Sequence, residues 1–171
     1  MPHDATTTEA DPFATLEQAA KRGRFEDQAA KAMSQARTTL VLSRTPQAAF
    51  FACLALKLHL QACWDVPTMA ADGARILYIR EFTVGLDALQ VLGVQVHEVV
   101  HCVAAHHDRM GARDLKRWSV AADMAINPLV TEAGFILPKG ALDPKMAQLP
   151  PGLSAEDYYN KLPKGKGSGG G

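Results

Sequence analysis

Two histidines and one glutamate in the segment His97–His101 have the types and spacing of a metal-dependent hydrolytic site. Residues four apart on an α-helix lie on the same face, so His97 and His101 can direct their imidazoles at one ion. Two nitrogen ligands of this kind are typical of zinc. Glu98 lies beside that face and can reach a water molecule next to the metal without binding the metal itself. The motif HEVVH therefore predicts one Zn²⁺ ion per chain and Glu98 as general base.

A catalytic zinc site normally takes a third protein ligand, and two residues compete for that role. His107 follows His97 by ten residues, as in the pattern HExxHxxGxxH, but Ala104 stands where that pattern needs a helix-breaking glycine. Asp123 lies among small and apolar residues of a later predicted helix, where an unpaired carboxylate is costly to bury. A bound metal would compensate that charge, so both residues stay open as the third ligand.

Other polar residues near the motif carry alternative interpretations. Asp123 can instead form a structural ion pair with Arg109 or Arg113. Asn127 follows Asp123 by four residues, shares its face and can hold a ligand histidine from behind the metal. His106 is predicted to point away from the face of the two ligand histidines, and to cap or pack. The sequence does not choose among four candidates for stabilising an oxyanion, namely Arg109, Arg113, Tyr158 and Tyr159.

These residues must be positioned by helices and strands. The sequence predicts an α+β fold in which the active-site helix packs with further helices and a small sheet or hairpin. Apolar periodicity predicts helices over 25–42, from Asp87 to about His107, from about Leu115 to a stop at Pro128, and from Ser154 to Leu162. Asp87 and Gln90 resemble a capping box. Alternating leucines predict a half-buried strand over 54–61 with His59 on its exposed face, and Ala74–Arg80 predicts a second strand after the turn Asp72–Gly73.

Composition and length predict a single folded domain in a chain of 171 residues. We expect a disordered or loosely ordered start over 1–24, the domain over 25–163 and a flexible Gly-rich tail over 164–171. Eighteen basic residues balance eighteen acidic ones, which argues against nucleic acid or a membrane as a partner. Three cysteines without CxxC spacing predict buried, reduced thiols and a cytoplasmic location.

Several stretches resemble a known family. They are residues 67–79, the block HEVVHCVAAHHDRMGARDLKRWSVAADMAIN over 97–127, and the segments 134–138 and 154–158. Together they look like the metallopeptidase domain found ahead of von Willebrand factor A-like domains in bacterial and phage proteins. The resemblance covers about residues 28–163. HEVVH and the block from Arg113 to Asn127 are its most specific parts.

The resemblance implies a zincin-like fold with His97 and His101 as ligands and Glu98 as catalytic acid and base. It favours Asp123 over His107, because the second block of the family centres on a similar Ala-Ala-Asp. In zincins an edge strand beside the active-site helix binds substrate, and Ala74–Arg80 is the candidate here. The family often continues into a von Willebrand-like domain, whereas this chain ends in a Gly-Ser tail.

The function predicted from these observations is a zinc-dependent metallopeptidase that hydrolyses peptide bonds of a protein or peptide substrate with a metal-activated water. The alternative is a metal-binding regulatory or adaptor module with little or no catalysis. Such a module would be linked to an AAA-type ATPase or a von Willebrand factor A-like domain. Glu98 favours the enzyme, because an adaptor does not need a general base beside its metal.

Overall fold

The structure is a computed structural model that describes residues 12–66 and 68–163, and its elements confirm the α+β class. The helices in chain order are α1 (Pro12–Leu42), α2 (Pro46–Ala55), α3 (Arg80–Val84), α4 (Ala88–Val103), α5 (His106–Arg109), α6 (Leu115–Glu132) and α7 (Ala155–Lys161). The strands are β1 (His59–Ala62), β2 (Met69–Ala71) and β3 (Arg75–Tyr78), and Pro144–Ala147 forms a 3₁₀ turn.

The three strands form one small mixed sheet in the order β1-β3-β2. β3 runs parallel to β1 and antiparallel to β2. The predicted turn between β2 and β3 is present, with Gly73 at a φ of 87°. The side chain of Asp72 accepts hydrogen bonds from the backbone N–H groups of Ala74 and Arg75 at 3.0 and 2.7 Å. β3 is therefore the central strand and β2 lies at one edge.

The main core packs α1, α2 and the sheet against α4, the helix that carries the HEVVH motif. Its fully buried members include Met33, Ile76, Val96 and Val99, and burying each such side chain contributes about 1.5–3 kcal/mol. Gln95 is also completely buried, and its side-chain amide donates to the backbone carbonyl of Met33 at 2.7 Å. This bond fixes how α1 lies along α4.

Two smaller clusters pack α6 against α7 and the segment before it. Tyr158 is fully buried and its hydroxyl donates to the carbonyl of Pro150 at 2.8 Å. Arg117 donates to the carbonyls of Tyr159 and Leu162 at the end of α7. These contacts hold α6 in place, and α6 is the helix that carries Asp123.

The strand predicted over 54–61 is wrong in its first half. α2 continues to Ala55, and the strand begins at His59 after a turn. Thr45 caps α2, and Pro46 occupies its first turn, where a missing N–H costs nothing. The alternating leucines therefore cross a helix end and a strand start. His59 is exposed, as predicted.

Other predicted bounds also differ from the structure. α1 begins at Pro12 rather than near residue 25. α4 ends at Val103, short of His107. α6 continues through Pro128 to Glu132, because the turn beyond the proline is held by Val130, which is completely buried.

The start over residues 1–11 and the tail over 164–171 lie outside the described residues. The cysteines are free, but Cys53 is exposed and the other two are only partly buried, so the prediction of buried thiols is wrong. Among the helices that the structure describes, none is both long and apolar enough to cross a bilayer.

Candidate metal centre

The middle and end of α4 present the three motif residues to one side of the main core. α4 begins with the predicted capping box. The side chain of Asp87 accepts from the backbone N–H of Gln90, and the side-chain oxygen of Gln90 accepts from the backbone N–H of Asp87. This start fixes the register of the apolar face, which buries Val96 and Val99. The remaining face directs His97 and His101 towards α6 and Glu98 towards β2.

Asp123 of α6 meets both histidines, and the three side chains form one group of potential metal ligands. His97 Nε2 lies 3.0 Å from His101 Nε2, and Asp123 Oδ1 lies 3.1 Å from His101 Nε2 and 3.5 Å from His97 Nε2. Ligand atoms bonded at about 2.0–2.1 Å to one tetrahedral zinc ion lie about 3.3 Å apart. The observed separations bracket that value, so the donor set fits zinc.

The orientation of His97 is fixed from behind by Asn127. The Asn127 amide nitrogen donates to the carbonyl of Leu142 at 2.8 Å, which directs its oxygen at His97 Nδ1, also at 2.8 Å. His97 Nδ1 must therefore donate, and a neutral His97 keeps a lone pair on Nε2. That lone pair points at the other two donor atoms, an arrangement that a cation stabilises.

His106 contacts His101, contrary to the prediction that it points away. Ala105 adopts a left-handed conformation with a φ of 51° and turns the chain after α4, so that His106 is buried with its Nδ1 3.0 Å from His101 Nδ1. The predicted orientation is wrong because it required a continuous helix, whereas the prediction that His106 packs is confirmed by its contact with Trp118. The sequence indicates that His106 lies near the motif only through the pair of histidines, His106 and His107, that follows it.

Glu98 is nearly inaccessible to solvent, with 5% of its surface exposed. Burial raises the pKa of its carboxyl group, and the neighbouring charges of His97 and His101 partly oppose that rise. A hydrogen bond from the backbone of Ala71 also lowers it. This carboxylate is therefore held between α4 and β2, beside the group of three ligands.

The electrostatics of the group favour a positive charge between its members. Burial alone would raise the pKa of Asp123, but hydrogen bonds to His101 and His97 outweigh it and lower that pKa to about 2. Burial lowers the pKa of His97, yet hydrogen bonding to Asp123 and the charge of Glu98 more than offset it, so the pKa is raised. The same position that attracts a proton in the metal-free site can attract a metal cation.

The structure does not bring His107 into the group formed by His97, His101 and Asp123. Its side chain is exposed, and its Nε2 lies 3.4 Å from Asp108 on the surface and close to Gly73. Arg109 does not pair with Asp123, since it contacts Glu156 at 3.1 Å. Arg113 donates to backbone carbonyls and stacks on Trp118.

None of the four residues considered for stabilising an oxyanion lines the cavity beside the ligands. Tyr158 is engaged with the Pro150 carbonyl, and the Tyr159 hydroxyl accepts from the backbone of Asp114. The two arginines make the surface contacts given above. Their contacts indicate structural roles.

A cavity of about 820 Å³ opens on His97, His101, Asp123 and Glu98, and a smaller one of about 260 Å³ is bordered by His97, Glu98 and Asn127. The larger cavity is bordered by β2 on one side and by the start of α6 on the other. A cleft of this size can hold part of an extended peptide.

The strand beside this cleft is β2, so the prediction that Ala74–Arg80 supplies the edge strand is wrong. β3 is central and has both edges paired, whereas β2 is paired only with β3. The backbone N–H of Asp72 donates to the Arg75 carbonyl, and the backbone N–H of Ile79 donates to the Thr68 carbonyl. Thr68 and Asp72 therefore face β3. In an antiparallel pair alternate residues face away from the partner strand, so the backbone groups of Met69 and Ala71 face away from β3. The N–H of Ala71 is bonded to Glu98.

Residues 24–171 match the family described as "Putative metallopeptidase domain". The chain belongs to this family. The match confirms the resemblance drawn from the motif blocks. Searches of curated proteins and of solved structures found no match.

Membership of the metallopeptidase domain family supports metal binding and a protein or peptide substrate. The matched range contains every residue of the group His97, His101 and Asp123, as well as Glu98. A metallopeptidase needs a metal, and these donors form a group that can hold one. A peptidase acts on protein or peptide substrates, which agrees with the adjacent cleft.

Proposed function

We propose that this chain is a zinc-dependent peptidase that hydrolyses peptide bonds. His97, His101 and Asp123 are the metal ligands in this proposal, and Glu98 is the general base. The observation that carries it is the convergence of two imidazole nitrogens and one carboxylate oxygen at separations of 3.0–3.5 Å. Asn127 supports His97 from behind, which matches the second contact that metal-binding histidines usually make.

The division of roles follows from chemistry. Bound zinc would supply a Lewis acid that activates water and polarises the scissile carbonyl. Glu98 takes the proton that the attacking water loses and delivers it to the amine leaving group. The backbone of Ala71 holds the carboxylate of Glu98 in one direction while it does so.

We further propose that the substrate binds in an extended conformation along the outer edge of β2. Met69 offers its outward N–H and carbonyl groups there, whereas Ala71 offers only its carbonyl, because its N–H is bonded to Glu98. Pairing of this kind uses alternate residues of the peptide. A cleaved peptide carrying an N-methyl group at successive positions should lose cleavage at alternate positions. Equal cleavage of all the methylated peptides would rule out strand pairing.

Metal content tests the ligand set. Wild-type protein purified from zinc-supplemented cells should contain one zinc per chain, and the variants His101→Ala and Asp123→Ala should lose it. His107→Ala is the matched control and should keep it. A wild type without stoichiometric zinc would refute the central proposal. If His107→Ala lost zinc while Asp123→Ala kept it, His107 and not Asp123 would be the third ligand.

Glu98→Gln tests catalysis separately from metal binding. The amide has the size of the carboxylate but cannot accept a proton, so zinc should remain while hydrolysis falls by about 10²–10⁴-fold. The probe is a proteome-derived peptide library read by mass spectrometry, because it does not presuppose a cleavage sequence. Equal cleavage by the variant and the wild type would remove Glu98 from the mechanism.

The adaptor alternative predicts a different outcome of the same experiment. A zinc-loaded wild type that cleaves no peptide in the library would favour a binding module over an enzyme, with a von Willebrand-like domain or an ATPase as the partner to seek. The burial of Glu98 beside the ligands supports the enzyme. The three free cysteines support the proposal that it acts in the cytoplasm.

A further inference from the structure

The turn after α4 places a third histidine against the proposed site. α4 ends at Val103, and Ala105 adopts a left-handed conformation that costs an L-residue about 1–2 kcal/mol. The result is that the ring of His106 packs edge-on against that of His101, with centroids 5.0 Å apart. A helix that simply continued would not make this contact.

His106 is held in that position by α6. The indole N–H of Trp118 donates to the backbone carbonyl of His106 at 2.9 Å, and the two rings also meet edge-on. Trp118 is itself buried and lies on the same helix as Asp123. The contact between His106 and His101 is therefore built between the two helices that carry the proposed ligands.

The two facing ring nitrogens determine where the protons lie. His101 Nδ1 and His106 Nδ1 are 3.0 Å apart, so one must donate and the other must accept. His101 Nε2 faces His97 Nε2 and Asp123 Oδ1, and it needs its lone pair to bind a metal. A neutral His101 then carries its proton on Nδ1, which leaves His106 Nδ1 as the acceptor.

We propose that His106 is a positioning residue that accepts the Nδ1 proton of His101 and so keeps Nε2 of His101 free for the metal. This inference rests on the proposed metal site. It gives His101 the support that Asn127 gives His97, with a neutral imidazole in place of an amide. Removing such a partner typically weakens metal binding by about 10–100-fold.

Two substitutions separate the acceptor from the bulk of the ring. His106→Leu removes the acceptor, and its zinc affinity, measured by competition with a chromophoric chelator, should fall by about 10–100-fold. His106→Asn places Oδ1 where Nδ1 was, and it should bind zinc close to the wild-type value. His107→Leu is the adjacent exposed control and should have no effect. Thermal unfolding of the metal-free proteins checks that all the variants fold.

The tautomers themselves are read on the unaltered protein. A long-range ¹H–¹⁵N NMR spectrum of the zinc-loaded wild type should show His101 protonated at Nδ1 and His106 protonated only at Nε2. A proton on His106 Nδ1, or a rescue variant His106→Asn as weak as His106→Leu, would overturn the inference. If the wild type binds no zinc, the proposed function fails first; if it binds zinc and His106→Leu binds equally well, only the role of His106 is lost.

Discussion

The two histidines of the HEVVH motif lie one helical turn apart and are supported in different ways. His97 is held by an amide, Asn127, whose other end is anchored to the backbone of Leu142. His101 faces another histidine, His106, which a left-handed turn brings back towards α4. The support of His97 depends on the loop that contains Leu142, and the support of His101 depends on the turn at Ala105.

Each motif histidine needs a hydrogen-bond partner for its Nδ1, and this partner can come from a nearby or from a distant part of the chain. The support of His101 lies five residues away and needs one unusual backbone conformation together with a single hydrogen bond from Trp118 of α6. The support of His97 lies thirty residues away and needs α6 and the loop over 134–142 to be packed correctly. We therefore expect the His97 side to be the more sensitive to packing changes.

The largest effect should come from Gly93→Ala in α4. A Cβ at this position would lie 2.0 Å from the carbonyl oxygen of Ile136, in the loop that anchors Asn127 through Leu142. Because the contact is with backbone, the loop must move, and we expect a loss of about 3 kcal/mol in the free energy of unfolding, the upper end of the usual cost of overpacking. Denaturant unfolding of the metal-free protein measures it, and zinc affinity should fall as well.

Gly23→Ala is the matched control, since no atom lies within 4 Å of the Cβ it would add to α1. Replacing a helical glycine with alanine should stabilise the protein by about 0.5–1 kcal/mol. If Gly93→Ala behaved like Gly23→Ala, the loop would not be pressed against α4 and the sensitivity assigned to the His97 side would be wrong.

Asn127→Leu removes the His97 support while keeping a side chain of similar size. Both hydrogen bonds of the amide are lost, so zinc affinity should fall by about 10–100-fold. Isothermal titration of the metal-free protein measures the affinity, and Asn160→Leu at the exposed end of α7 provides the control. Unchanged affinity in Asn127→Leu would mean that His97 needs no support from α6.

Trp118→Phe weakens the His101 side indirectly. An aromatic ring is kept, but it is smaller and lacks the N–H that donates to the His106 carbonyl. That carbonyl still accepts from the backbone N–H of Met110, so the loss of the second hydrogen bond should cost about 0.5–1.5 kcal/mol. We expect this loss in thermal or denaturant unfolding, with a smaller fall in zinc affinity than in Asn127→Leu. A larger fall in affinity would reverse the ranking of the two supports.

Ala105→Gly should have the smallest effect. Glycine adopts a φ of 51° without the steric cost that alanine incurs, but it loses more chain entropy on folding, so the net gain in stability should be below about 1 kcal/mol. Zinc affinity should stay at the wild-type value. A clear loss of affinity would show that the methyl group of Ala105 itself helps to hold His106.

The sequence predicts best where local rules and packing agree. The capping box of α4 and the cap of α7 at Ser154 both form as expected. Asp123 could be singled out because a carboxylate among alanines needs a compensating charge, and the structure brings it to the two histidines. These inferences depend on helix geometry and on the cost of burial, both of which the sequence displays directly.

The sequence predicts poorly where tertiary contacts override local preference. Pro128 normally ends a helix, yet the burial of Val130 carries α6 past it. Ala105 gives no local sign of a left-handed turn, so the position of His106 could not be predicted. The prediction that β3 lies at an edge fails because the order of the strands depends on β2, a strand of only three residues.

The spacing of the buried hydrogen bonds along the chain has a consequence for folding. His101 and Asp123 are 22 residues apart, whereas the bond from Gln95 to the Met33 carbonyl spans 62. Closing the shorter loop costs less chain entropy, and contacts between near neighbours form sooner. The α4–α6 hairpin can therefore assemble the metal-binding group before α1 docks on its opposite side, and amide hydrogen exchange would then report two separate cooperative units.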